Sequence, residues 1–135
     1  MSDIVTGNGY AVGTLDDLGD GPGFRKIRAP LGVTAFGVNA VVIPPGIESG
    51  RHFHDEQEEL YFVHQGRLEF VFNDGERHTL GPGGLAKVDP RTVRQLRNVG
   101  DTDAIYICVG GKDGYVGRDG RVPEGEENRA RPIAS

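Results

Sequence analysis

Residues 46–66 of this chain read GIESGRHFHDEQEELYFVHQG. In this segment His52 and His54 are two residues apart, so on a β-strand both side chains point to the same face. Glu59 follows a short acidic turn and begins the next predicted strand. The three side chains can therefore converge on one point. Two imidazoles and one carboxylate suit a divalent transition metal, that is Fe, Mn, Zn, Ni, Co or Cu.

The same segment resembles the first sequence motif of the cupin family. That motif is a glycine, five residues, His-x-His, three or four residues, a glutamate, six residues and a final glycine. In this chain its positions fall on Gly46, His52, His54, Glu59 and Gly66. Glu58 would fit the shorter gap, but seven residues then separate it from the final glycine, so Glu59 is the predicted ligand. The resemblance implies an all-β fold, a cupin-type jelly-roll or double-stranded β-helix barrel.

The rest of the chain also favours an all-β fold. Its 22 glycines and 8 prolines are spread between short apolar runs, as expected of many strands joined by turns. The predicted strands span residues 10–15, 24–28, 33–43, 51–54, 58–63, 68–72, 77–80, 85–88, 93–98 and 104–109. We expect the strands at 58–63 and 68–72 to form a hairpin, followed by a tight turn at the Asp74-Gly75 pair.

Three regions follow from the distribution of apolar residues. We expect an N-terminal arm over residues 1–23, the cupin barrel over 24–110 and a polar C-terminal tail over 111–135. In the tail, Tyr115-Val116 and Arg121-Val122 flank Asp119-Gly120 and could form a small additional hairpin.

The predicted strand at residues 58–63 is apolar in both side-chain phases. Leu60 and Phe62 share one phase, while Tyr61 and Val63 share the other with Glu59. A strand buried on both faces needs a second layer outside it, which in a small barrel can be another subunit. Cupin resemblance also implies pairing of barrels, so we expect a homodimer.

The second cupin motif is degenerate in this chain. The family pattern is a glycine, five residues, Pro-x-Gly, two residues, a histidine, three residues and an asparagine. When Asn98 is aligned with the final asparagine, Arg94 occupies the position of the fourth ligand, normally histidine. Alternation places Arg94, Leu96 and Asn98 on one face of their strand, which predicts an inward-pointing Arg94.

An arginine at this position has three expected outcomes. Arginine cannot bind a metal through its guanidinium, and it would repel a divalent ion by several kcal/mol at about 4 Å. Arg94 can swing aside, so that His52, His54, Glu59 and water hold the ion. It can instead pair with Glu59 in a metal-free cavity. It can also hold the carboxylate or phosphate of a ligand that touches the metal.

Length and charge limit the classes of partner. A chain of 135 residues fits one domain, and a single cysteine excludes an internal disulfide, which favours a reducing compartment. The net charge of −5 argues against nucleic acid and anionic membrane partners. No apolar run approaches the roughly 18 residues of a membrane helix. We therefore expect a cytoplasmic protein that binds neither nucleic acid nor membrane.

Two functions remain open at this stage. The first is a metal-dependent enzyme, of the dioxygenase or isomerase type, acting on a small anionic organic molecule, with Tyr61 and Arg94 as the predicted catalytic residues. In it Tyr61 would move a proton and Arg94 would orient the substrate. The second is a metal-free, non-catalytic module that binds or senses a small ligand, with Arg94 paired to Glu59.

Other reactive side chains are weaker candidates for the site. His64 lies in the phase of Leu60 and Phe62, so it should face away from the site, and His78 is predicted to be exposed. Cys108 stands between Ile107 and Val109 and is expected to be a small buried residue.

Overall fold

Two antiparallel sheets make up most of the structure and share one hydrophobic core. The computed structural model describes residues 4–127. Its strands are β1 (Val5–Gly7), β2 (Tyr10–Val12), β3 (Gly23–Lys26), β4 (Gly37–Ile43), β5 (Phe53–His54), β6 (Glu58–Gln65), β7 (Leu68–Phe72), β8 (Glu76–Leu80), β9 (Leu85–Val88), β10 (Arg94–Asn98), β11 (Ala104–Gly111) and β12 (Gly120–Arg121). A 3-10 turn covers Leu15–Leu18, and a single α-helical turn, α1, covers Arg28–Leu31.

The larger sheet has the strand order β3-β4-β11-β6-β9, and the smaller one has the order β10-β7-β8. The segment before β5 runs antiparallel to β10 and extends the smaller sheet. Ser49 donates its backbone N–H to Leu96 O (2.8 Å), and His52 and Arg94 exchange two backbone hydrogen bonds (3.1 and 2.9 Å). This double-sheet arrangement confirms the predicted all-β barrel.

Alternation along the strands places the core between the two sheets. In β6 every second residue is buried, and the same holds in β10, where Arg94, Leu96 and Asn98 face inward as predicted. Val63, Leu68, Phe70 and Leu96 have no exposed surface. Each such side chain contributes about 1.5–3 kcal/mol by leaving water, which favours this register over a slip by one residue.

The hairpin predicted for the segments at 58–63 and 68–72 is wrong. Strand β6 pairs with β11 and β9, whereas β7 pairs with β10 and β8, so the chain crosses between sheets at Gly66. Nearness in sequence favoured a hairpin, but the two strands belong to different sheets, and alternate residues of each face the core that the sheets share. The next turn is a hairpin as predicted, because β7 pairs with β8 and Asn73 and Gly75 both have positive φ.

The outer phase of β6 remains partly exposed within this chain. Leu60 is 44% exposed and Phe62 is 37% exposed, and Leu85 lies beside Phe62 on β9 at 61%. The described part of the chain supplies no layer over this apolar face, so the homodimer stays a prediction. Within residues 4–127, no helix has the length and apolar character needed to cross a bilayer.

The described part of the C-terminal region returns to the barrel. Gly120 and Arg121 pair with His54 and Phe53, so β12 adds to β5 instead of forming a separate hairpin with its own neighbours. Residues 1–3 and 128–135, which belong to the predicted arm and tail, lie outside the described residues. The boundaries predicted for arm, barrel and tail stay a prediction.

Candidate metal centre

His52, His54 and Glu59 meet inside the barrel. Each offers one ligand-type atom, and these atoms all lie within 4.8 Å of one another. The three residues are 8–9% exposed, and the two imidazole rings stand edge to face with centroids 5.1 Å apart. The strand geometry explains this, since His52 and His54 are in one phase and Glu59 begins the inward phase of β6. The arrangement can hold one ion.

Each imidazole has its Nδ1 next to an acceptor. His52 Nδ1 lies 3.3 Å from the backbone oxygen of Gly50, and His54 Nδ1 lies 2.8 Å from Asp119 Oδ1. Because neither acceptor carries a proton, Nδ1 is the donor in both rings. Nε2 of neutral His52 therefore keeps its lone pair, and Nε2 of His54 offers one once that ring has lost its second proton, as metal binding requires. His54 Nε2 is buried and 3.3 Å from Glu59 Oε1, but its geometry is not that of a hydrogen bond. A bound cation would give this nitrogen a partner.

The surroundings set the protonation states of the three groups. Burial, reinforced by the Arg94 charge, lowers the pKa of His52 to about 4. Burial alone would lower the pKa of His54, but the carboxylates of Glu59 and Asp119 outweigh it and raise that pKa. Burial opposes ionisation of Glu59, yet its contacts with His54 and Tyr61 dominate and lower its pKa to about 2. Near neutral pH, His52 is therefore neutral and Glu59 ionised, as metal ligands must be.

Tyr61 joins the site to an adjoining cavity. Its hydroxyl donates to Glu59 Oε1 at 2.7 Å, which leaves the second carboxylate oxygen for another partner. Burial raises the pKa of Tyr61 well above its ordinary value, so the hydroxyl keeps its proton. Tyr61, Cys108 and the three ligand-type residues line a cavity of about 850 Å³. A small organic molecule fits such a volume.

Arg94 lies behind the site, is fully buried and is not among the residues that line the cavity. Its guanidinium donates to three backbone carbonyls of the preceding loop, those of Asp89 (3.4 Å), Pro90 (3.2 Å) and Thr92 (2.9 Å). Nη2 is also 3.6 Å from Glu59 Oε1, an ion pair without a hydrogen bond. The geometry thus lies between the first two expected outcomes, and a direct role of Arg94 toward a ligand stays a prediction.

The other histidines stay away from the centre, as predicted. His64 and His78 are both exposed, on β6 and β8. Cys108 is half-buried, packs against the core and also lines the cavity. Burial raises the pKa of its thiol well above the ordinary value, so Cys108 is a packing residue and not an activated nucleophile.

Asp119 is a component of the site that the sequence reasoning missed. Besides His54 Nδ1, its carboxylate accepts the backbone N–H groups of Glu56 (2.8 Å) and Gln57 (3.1 Å) and the Gln57 side-chain amide (2.6 Å). These bonds outweigh burial and hold the pKa of Asp119 well below its ordinary value. Asp119 lies 65 residues after His54, outside both motifs, and its Asp-Gly pair signalled only a turn.

Replacing Asp119 with asparagine is expected to weaken metal binding by about 10- to 100-fold, because the charged partner that orients His54 is lost. The affinity for Co²⁺ can be measured by competition with a chromogenic chelator. Asp101→Asn, an exposed change in a turn away from the cavity, serves as the matched control. Equal affinities of the two variants would contradict the orienting role of Asp119.

Comparison with known proteins places these features in a family. Residues 39–110 match the family model described as "Cupin domain". The polyketide synthase CurC of Streptomyces cyaneus is 33% identical over 91 residues, which cover 64% of this chain and 57% of that protein. This chain therefore spans a little over half the length of that curated relative.

Solved structures show the same likeness. A sugar phosphate isomerase from a cupin superfamily, from Silicibacter pomeroyi, is 33% identical with a TM-score of 0.60, over 66% of this chain and 58% of that one. A double-stranded β-helix protein from Klebsiella pneumoniae is 19% identical with a TM-score of 0.70, over 82% and 89% of the two chains. The second likeness concerns the fold alone.

Proposed function

Because this chain belongs to the cupin family, we propose that it is a metal-dependent enzyme that acts on a small anionic organic molecule by isomerase-type chemistry. The observation that carries this proposal is the convergence of His52, His54 and Glu59 within 4.8 Å beside a cavity of about 850 Å³. His52 presents an Nε2 lone pair, His54 presents one when it loses a proton to metal binding, and a carboxylate completes a donor set that suits a divalent transition metal.

In this proposal the residues have separate roles. His52, His54 and Glu59 hold the ion, which supplies a Lewis acid for a substrate oxygen. Asp119 keeps the His54 ring in place. Tyr61 holds a proton 2.7 Å from Glu59 and faces the cavity, where it can donate to a substrate oxygen as negative charge develops there.

Two observations favour an isomerase over a dioxygenase. One is the 33% identity to a protein described as a sugar phosphate isomerase. The other is the protonated Tyr61 hydroxyl beside the site, since such a donor stabilises the oxygen that becomes negative when a base removes a proton from the carbon next to a carbonyl. The aligned region covers 58% of that relative, so its reaction is proposed for this chain and is not assigned from the likeness.

The experiment starts with elemental analysis of protein purified without a histidine tag, in which we expect about one transition-metal ion per chain. The protein is then incubated with a panel of sugar phosphates in D₂O and followed by NMR, while dissolved oxygen is recorded. An isomerase should exchange a carbon-bound proton next to the carbonyl for deuterium without using oxygen. Metal-dependent oxygen consumption without exchange would contradict the isomerase and support a dioxygenase.

The metal-free binding module is favoured by one contact, the ion pair between Arg94 and Glu59 at 3.6 Å. Under this alternative the purified protein contains no metal, and Glu59 is already neutralised. Its function would be to bind a small molecule without turnover.

Replacing Arg94 with histidine distinguishes the two functions. If the native protein binds metal, a third imidazole as fourth ligand and the loss of a positive charge should raise its affinity by tenfold or more, as about 1.4 kcal/mol would. Arg94→Gln is the control, because it removes the charge and adds no imidazole. A native protein that binds no metal, with affinity appearing only in Arg94→His, would support the metal-free module and overturn the enzyme.

A further inference from the structure

Three basic side chains line the cavity that adjoins the metal centre. They are Lys26 at the end of β3, Arg28 at the start of α1 and Arg118 just before β12. We call these three residues the cationic rim. They come from two segments about 90 residues apart in the chain that meet at this cavity.

Lys26 is directed to the cavity side by the register of the large sheet. It is in the same phase of β3 as Phe24, which also lines the cavity. Lys26 pairs with Asn39, Asn39 with Cys108, and Cys108 with Tyr61. Lys26 and Tyr61 are therefore three strands apart, about 14 Å between backbones at the usual strand spacing. A short organic molecule can span from the metal centre to Lys26.

Arg28 is held in place by the aromatic ring of Tyr115. Its guanidinium carbon lies 4.0 Å from the centroid of Tyr115, in a cation–π contact. Such stacking uses the face of the guanidinium and leaves its N–H groups in the plane available to an anion. The hydrogen bond from Nη1 to Val33 O is long, at 3.5 Å. Arg28 is thus preorganised for an oxyanion.

Arg118 is positioned by its neighbours on the same segment. The adjacent Asp119 makes four hydrogen bonds with His54, Glu56 and Gln57. Gly120 pairs with His54, so the backbone on that side of Arg118 is fixed against the barrel. The residue that orients a histidine of the metal centre therefore also places a cation at the cavity.

The charges of the cavity are unbalanced. Among residues 4–127, no carboxylate lies within 4 Å of the basic group of Lys26, Arg28 or Arg118. The two carboxylates that line the cavity, Glu59 and Asp119, are already engaged in the metal centre. Three basic side chains thus face two carboxylates in this cavity, although the chain as a whole has a net charge of −5, and a divalent ion would add further positive charge.

We infer that the cationic rim binds the phosphate or carboxylate group of the substrate while the other end of the molecule reaches the metal centre. This inference rests on the proposed function and names its substrate class, a short hydroxylated molecule with a terminal oxyanion. It also assigns anion recognition to Lys26, Arg28 and Arg118, in place of the Arg94 predicted from sequence.

The test uses three probes that share a hydroxylated carbon chain and differ at the end: glucose 6-phosphate, gluconate and glucose. Binding to the purified native protein is measured by calorimetry. We expect glucose 6-phosphate or gluconate to bind, glucose to bind at least tenfold more weakly, and the stronger affinity to fall as salt is raised. Comparison of the two anions decides between phosphate and carboxylate.

The variant for this test is Lys26→Gln with Arg118→Gln, which leaves Arg28 and Tyr115 stacked. Two exposed cations should account for about a tenfold loss of anion affinity. Arg67→Gln, an exposed arginine that does not line the cavity, is the matched control. Unchanged affinity in the double variant, equal binding of glucose and the anions, or no binding of any probe would overturn the inference.

Metal content and anion binding test the metal centre and the cationic rim separately. Metal content reports on His52, His54 and Glu59, and the double variant should keep the native metal content because neither substitution touches a ligand. Anion binding without metal would leave the rim in place and overturn the metal enzyme. Metal binding without any preference for anions would leave the metal enzyme in place and overturn the role of the cationic rim.

Discussion

Replacing His52 with alanine is expected to reduce the metal content of the purified protein from about one ion per chain to nearly none. Loss of a ligand should cost more than the roughly 100-fold in affinity that loss of an outer hydrogen-bond partner costs. The barrel should persist, because His52 is joined to Arg94 through backbone hydrogen bonds that the substitution keeps. Elemental analysis and Co²⁺ titration measure the effect, and circular dichroism checks the fold.

The matched control for this experiment is His64→Ala. His64 belongs to the same polar segment but is exposed on the outer phase of β6, so its loss should leave the metal content unchanged. An equal loss in the two variants would mean that the ion binds elsewhere. Metal retained by His52→Ala would show that the three groups do not act as one site.

Replacing Gly66 with alanine is expected to destabilise the protein by about 2–5 kcal/mol. The residue has φ of +80°, which costs a side chain about 1–2 kcal/mol, and crowding in a packed region adds about 1–3 kcal/mol. A Cβ at this position would lie 2.8 Å from the Ala104 Cα and 3.0 Å from the Asp103 backbone oxygen. Domains are stable by only about 5–15 kcal/mol, so the loss should be plain in urea unfolding.

Gly46→Ala separates the two causes. Gly46 is the other glycine of the motif and has nearly the same φ, +76°, but a Cβ added there would meet no atom within 4 Å. It should therefore show only the backbone cost of about 1–2 kcal/mol. If both variants lose the same stability, close packing on Ala104 is not what requires a glycine at position 66.

The sequence predicted the convergence of the three ligand-type side chains well because their geometry is local. The spacing of His52, His54 and Glu59 within eight residues, together with strand alternation, is enough to direct all three inward. The inward phase of Arg94 followed from the same rule and is found in β10. Strand limits were also close, since β7 and β9 have the predicted bounds.

Features that depend on contacts between distant segments could not be predicted in this way. Strand β6 pairs with β11 and β9, which lie 20 or more residues further along the chain, and the turn at Gly66 carries no signal of those partners. The direction of the Arg94 guanidinium depends on which acceptors the preceding loop offers. Asp119 reaches His54 only because β12 pairs with β5, and two residues form too short a strand for a periodicity to reveal.

The pairing of β12 with β5 also places part of the cavity wall outside the hydrophobic core of the barrel. Residues 115–120 form one wall of the cavity, yet the core cluster contains none of them. Substitutions there can change which ligand is accepted, or how firmly His54 is oriented, with little effect on folding. Engineering of ligand preference would therefore begin with the residues of this segment other than Asp119 and Gly120, while the strands of the barrel remain unchanged.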